Sequence, residues 1–174
     1  MPLYLKEVDV VPEVAKFQSA LIVPCRFCPA LSLALRKDQP YIEFFRRFLK
    51  TEPYEQHIND IQSRLEKEGL RTSVFKSNLL NFIICMWTSR RREKLLEQAH
   101  QYEALVVMGC EGAYENVCDI VKSTDCQVFL GMESEGVLSA VSKFHWPFNI
   151  SLELSNVTPM LYDKKREIRV EKSE

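Results

Sequence analysis

The chain has 174 residues, 46% hydrophobic and 27% charged, and its 23 Lys and Arg against 24 Asp and Glu leave a formal net charge of -1. That length suits about one domain, large enough to bury a core without a disulfide or a metal to hold it together. The balanced charge removes the basic footprint of a protein that grips nucleic acid or an anionic membrane, so neither is expected as a partner.

The first seventeen residues carry Lys6, Glu7, Asp9, Glu13 and Lys16, which leaves no room for the apolar core of a secretory signal. No apolar run approaches the roughly 18 residues that cross a bilayer. The expectation is therefore a cytoplasmic domain. In that setting the six cysteines (Cys25, Cys28, Cys85, Cys110, Cys118 and Cys126) stay reduced, and Asn149-Ile150-Ser151 and Asn156-Val157-Thr158 carry no sugar.

In chain order, short apolar runs alternate with stretches of helical period. Gln18 to Pro24 reads as the first strand and Arg71 to Lys76 as the second. Ala104 to Gly109, Gln127 to Gly131 and Asn149 to Leu154 make five, the third and fourth apolar enough to be covered on both faces. Between the first two, Pro40 opens a helix with Phe44, Phe45, Phe48 and Leu49 on one face. A second follows with Tyr54, Ile58, Ile61 and Leu65 at helical spacing, Thr51 as N-cap, Pro53 in its first turn and Gly69 as its stop. Leu79 to Trp87 leads into a helix capped by Ser89 that runs to Tyr102. Gly112 to Lys122 and Gly136 to Lys143 supply two shorter crossovers.

Alternation of this kind builds a three-layer α/β sandwich, here a single domain over residues 1–170 with a frayed tail at 171–174. The five strands are expected to be mainly parallel, in the flavodoxin-like order 2-1-3-4-5. Val157 to Val170 reads as a C-terminal antiparallel extension with which Leu3 to Val11 can pair. The third and fourth units echo one another, VVMGCEGA against VFLGMESE, which places Glu111 and Glu133 at equivalent strand exits; a Gly that permits a tight turn explains the echo equally well.

Ligands of open parallel sheets bind beyond the carboxyl ends of the strands, at the point where crossovers diverge. In the order above that point lies between strands one and three, where Cys25, Cys28 and Cys110 face each other. A Cys-x-x-Cys turn opening a helix can chelate one ion, and a third thiolate completes a three-sulfur face. Zinc or an iron-sulfur cluster is the expected cofactor, with Glu111, Glu133 or His145 as the fourth ligand. The same two glutamates could instead serve as general acid and base beside Phe27, Tyr114 and Met132, or as plain turn residues.

Strand, Cys25-x-x-Cys28 and helix also resemble the thioredoxin family locally, and Thr158-Pro159-Met160 resembles the segment bearing that family's cis-proline. That resemblance implies a redox-active dithiol. It covers only these two short segments, Pro29 follows the second cysteine instead of preceding it, and about 130 residues separate the pair.

Cys85 and Cys118 sit on apolar faces and read as buried small hydrophobes, and Cys126, at the opposite edge, is not expected to be a ligand. His57 and His100 fall on polar helix positions and should be exposed. Arg46-Arg47 and Arg90-Arg91-Arg92 lie on amphipathic helices, where solvated faces explain them; docking of an acidic partner protein through those faces, or of a second copy, is the non-catalytic alternative. The chain has no G-x-G-x-x-G after the first strand, no phosphate-loop motif, no H-E-x-x-H and no G-x-S-x-G, so no nucleotide is expected. Pro24 and Pro29 remove N–H donors that a flavin phosphate would need, so no flavin is expected either.

Overall fold

The structure is a computed structural model and describes residues 2–43, 51–76, 83–146 and 149–160. In chain order its elements are β1 (Leu3–Glu7), α1 (Val11–Val14), β2 (Ser19–Pro24), α2 (Cys28–Arg36), β3 (Ile42–Glu43), α3 (Glu52–Lys67) and β4 (Arg71–Val74). A single 3-10 turn (Ile84–Met86), α4 (Ser89–Ala99), β5 (Ala104–Met108), α5 (Glu111–Val121), β6 (Gln127–Leu130), β7 (Met132–His145) and β8 (Asn149–Pro159) follow. Among the described residues no helix is long and apolar enough to cross a membrane.

Two sheets result. One is four-stranded and parallel, in the order β4-β2-β5-β6; the other is antiparallel, in the order β1-β7-β8-β3. Every residue of β2 and of β5 is buried, as the nearly continuous apolar runs require of central parallel strands. The chain steps from β2 outward to β4 and then back across β2 to β5. With right-handed crossovers that reversal sends the later helices to the opposite face of the sheet. Helices α2 and α3 pack together, and α4 packs with α5.

Helix α3 has the cap and stop expected of it. Thr51 is the N-cap residue, a proline sits in the first turn, and Gly69 ends the segment at φ +91, where a side chain would be strained. Tyr54, Ile58, Ile61 and Leu65 are all buried.

The expected fifth parallel strand is a correction. Asn149 to Leu154 belongs to β8, which pairs antiparallel with β7, so the parallel sheet has four strands and the five-stranded order is not matched. The expected crossover helix Gly136 to Lys143 is itself strand. Its apolar residues fit two periods over so short a run, and the alternation Leu138, Ala140, Ser142, Phe144 against Ser139, Val141, Lys143 prevails. Strand β1 joins the same sheet but lies against β7, on the side away from β8. Residues 44–50, 77–82 and 161–174, and with them the expected Phe44-to-Leu49 helix face, Arg46-Arg47 and the outer part of the C-terminal extension, lie outside the described residues.

The antiparallel sheet is fastened to α2. Ser32, fully buried, accepts the Leu5 N–H at 2.9 Å and donates to the Cys28 carbonyl, and Arg36 Nε donates to the Leu5 carbonyl at 2.9 Å. Within that sheet Gly136 permits the closest approach: a Cβ there would stand 2.5 Å from the Thr158 carbonyl oxygen and 2.8 Å from Val157 Cγ1. Backbone cannot yield as a side-chain tip can, so Gly136→Ala should cost about 1–3 kcal/mol, read as a lower midpoint in urea unfolding. An unchanged midpoint would contradict the β7–β8 register described.

Candidate thiol site

The site begins where β2 and β5 end. Their parallel register runs through Pro24 opposite Met108, and one residue further the Cys25 N–H donates to the Met108 carbonyl at 3.0 Å. The same carbonyl accepts the Tyr54 hydroxyl at 2.7 Å, which brings α3 to this edge. Gly109 lets the two exits close up. A Cβ on it would fall 2.7 Å from Ala113 Cβ and 3.3 Å from Cys25 Cβ.

Four cysteines gather here. Cys25 is buried, with the N–H groups of Phe27 and Ile84 turned toward its sulfur. Cys28 opens α2, half-buried, and its sulfur accepts the Leu3 N–H at 3.5 Å. Cys110 is the N-cap residue of α5 and is buried. Cys85 is exposed on the 3-10 turn, and its thiol interacts with that of Cys110. A point built above Gly112 would be 3.9 Å from the Cys110 sulfur and 4.0 Å from the Cys85 sulfur, so both flank the first turn of α5. Each of Cys25, Cys28 and Cys85 is within electrostatic range of Cys110.

The thiols differ sharply. The neighbouring Cys85 thiol holds Cys110 down to about 6 against burial, and the N–H groups of Ala113 and Gly112 at the helix start assist. Cys85 is raised in turn, and burial adds to the rise. Burial pushes Cys25 up to about 11 and raises Cys28. The turn that carries Cys85 is held in place from α5: Asn116 Nδ2 donates to the Ile84 carbonyl at 2.9 Å, and Arg92 binds both Asn116 and Asp119.

The other candidates fall differently. Glu111 is at this edge, but its carboxylate accepts both the N–H of Ser134, at 2.8 Å, and the Ser134 hydroxyl. Glu133 is half exposed on β7, in an ion pair with Lys6 at 3.0 Å. His145, at the far end of β7, is exposed and hydrogen-bonds Ser151. Among the described residues no three His, Cys, Asp or Glu side chains stand as a metal-holding group. Cys118 accepts from the Tyr114 hydroxyl, and Cys126 donates to the Tyr102 carbonyl at 2.8 Å.

Three expectations change. Cys85 is exposed and faces Cys110, where a buried helical cysteine was expected. The usable signal was its place in the crossover from the second strand, just ahead of a helix cap. His57 is half-buried, its Nδ1 3.4 Å from Glu7, and burial lowers its pKa. Arg91 is buried, not solvated.

No family profile, no curated protein and no solved structure matches the chain.

Cys110 should be alkylated by iodoacetamide with a pH midpoint near 6, while Cys25 and Cys126, both pushed to about 11, stay inert at neutral pH. Because its folded-state value is lowered, the thiolate stabilises the fold fully above about pH 9 and loses that contribution as pH falls through about 6. Cys85→Ala should move the alkylation midpoint upward. Peptide mapping that finds one midpoint in both proteins would remove Cys85 as the cause.

Proposed function

We propose that the protein is a thiol-disulfide redox protein in which Cys110 is the attacking thiolate and Cys85 the resolving thiol. The observation that supports this most directly is the position of Cys110 at the N-terminus of α5, with the Cys85 sulfur flanking the same first turn. A thiolate at neutral pH with a protonated partner beside it is the arrangement that disulfide exchange needs.

The reaction balances as follows. The Cys110 thiolate attacks one sulfur of a substrate disulfide, the substrate S–S bond breaks, and a substrate thiolate leaves with the proton of Cys85. The Cys85 thiolate then attacks the Cys110 sulfur, an intramolecular disulfide forms, and the second substrate thiolate departs and takes a proton from solvent. The substrate is reduced by two electrons and the pair is oxidised by two. An apolar cleft of about 300 Å³ lined by Phe27, Leu31, Tyr41, Leu138 and Ile150 opens on the Cys28 side of this edge, through Phe27.

A second reading uses the same edge. Cys25, Cys28 and Cys110 remain candidates for zinc or an iron-sulfur cluster, since each feels the charge of a neighbouring thiol, and the reading requires their side chains to close up from the positions described. In that reading Cys85 supersedes Glu111 and Glu133 as the fourth ligand, because Glu111 is spent on Ser134 and Glu133 on Lys6.

One set of measurements separates the two. With a disulfide dye as substrate, Cys110→Ser should abolish reduction, and Cys85→Ser should trap a mixed disulfide on Cys110 after one turnover. Oxidation of the native protein should link Cys85 to Cys110 and leave Cys25 and Cys28 free. Stoichiometric zinc, or iron with sulfide, in anaerobically prepared protein, lost in Cys25→Ser and Cys110→Ser alike, would replace the redox reading with the metal one.

A further inference from the structure

The amino end of α4 is electrostatically inverted. Helices place acids in their first turn because the unpaired N–H groups there carry partial positive charge. Here the first turn holds Arg90, Arg91 and Arg92 and no acid, and Thr88 makes no side-chain cap. Arg92 is neutralised by Asp119. Arg90 is exposed, and among the described residues no acid pairs with it or with Arg91.

Arg91 is the anomaly. It is 8% exposed, and its Nε and Nη2 are buried without a hydrogen-bond partner. Its guanidinium lies 4.0 Å from the Phe75 ring centroid and 5.4 Å from that of Trp87, the residue just ahead of the cap. The side chain is therefore folded back toward the amino end of its own helix, as helical side chains incline. The aromatic faces attract the cation, but they satisfy none of its N–H donors. An unpaired buried charge is costly in a fold unless a ligand supplies the missing acceptors.

We propose that this helix end is an oxyanion site, in which Arg91 and the free N–H groups of Ser89 and Arg90 hold a phosphate group of a small ligand. Phosphate suits it because one helix turn carries free N–H donors and two cations with no acid beside them, which matches a dianion with three acceptor oxygens better than a carboxylate. The site lies on the edge that bears the thiols: Phe75, at the exit of β4, donates its N–H to the Ile22 carbonyl at 2.8 Å, and Trp87 follows Cys85 by two residues. The proposal stands apart from the thiol reading, since it requires no cysteine.

Inorganic phosphate on the full chain is the probe, read by thermal unfolding against sodium chloride at equal ionic strength. The native protein should show a saturable rise in unfolding temperature. Arg91→Met should fold at least as stably in chloride and bind phosphate about tenfold or more weakly. Ser89→Pro, tolerated at the first helical position, removes one N–H and should weaken phosphate binding while the helix persists. Cys110→Ser should leave the response intact. Phosphate no better than chloride, acetate as good as phosphate, or undiminished binding in both Arg91→Met and Ser89→Pro would each overturn the assignment. So would binding of a polyglutamate peptide that Arg90→Ala abolishes and Arg91→Met spares, which would mark an acidic-protein surface.

Discussion

The parallel pairing of β2 with β5 is the constraint on which the rest depends. Two strands separated by about eighty residues of sequence are locked in one register, and both run out at the same level, Pro24 beside Met108. The sulfurs of Cys25 and Cys110 are both positioned from that level. The Met108 carbonyl closes the edge by accepting both the Cys25 N–H and the Tyr54 hydroxyl, so one acceptor ties β2, β5 and α3 together. Gly109 then brings α5 against β2 at a distance that no side chain would allow. A shift of one residue in this pairing would turn the fully buried faces of both strands and separate the sulfurs at positions 25 and 110.

Four thiols in one place do not titrate as four copies of one group. Each charged neighbour opposes the next, so the cluster favours a single thiolate, and local donors decide where it resides. Cys110 has the partners: the Cys85 thiol and the N–H groups at the start of α5. Cys25 also has backbone N–H groups facing it, from Phe27 and Ile84, yet its deeper burial outweighs them. The thiolate is thus placed by position on the rim, because Cys110 joins a helix end to the neighbouring Cys85 and Cys25 is more deeply buried.

How much of this could be read from residues follows from the range of the interactions involved. The central strands β2 and β5 were legible because central strands must be apolar throughout, and the α3 cap and stop because Pro53 and Gly69 act locally. The approach of Cys25 to Cys110 needed only the adjacency of β2 and β5. The C-terminal half was not legible in the same way. Gly136 to Lys143 fits a helix as well as a strand over so short a run, and only pairing with β8 decides it. Cys85 was missed for a related reason: Ile83, Ile84 and Met86 suggest a buried face, but only Ile84 is fully buried, and Cys85 turns to α5 through the distant Asn116 contact. Arg91 was read as solvated because its cover, Phe75 and Trp87, comes from outside its helix.

The second sheet has a share in the site that its distance in sequence conceals. Strand β1 reaches α2 through Ser32 and Arg36, and Ser32 returns a hydrogen bond to the Cys28 carbonyl at 2.9 Å. Leu3, on the same strand, donates its N–H to the Cys28 sulfur. Cys28 is therefore placed by the antiparallel sheet, whereas Cys25 and Cys110 are placed by the parallel one. Glu111 completes the join from the other side by bonding Ser134 on β7, next to the point where β1 pairs through Leu5. Loosening either sheet from the other would move one sulfur relative to the rest, so the geometry of the thiols reports on how firmly the two sheets are held together.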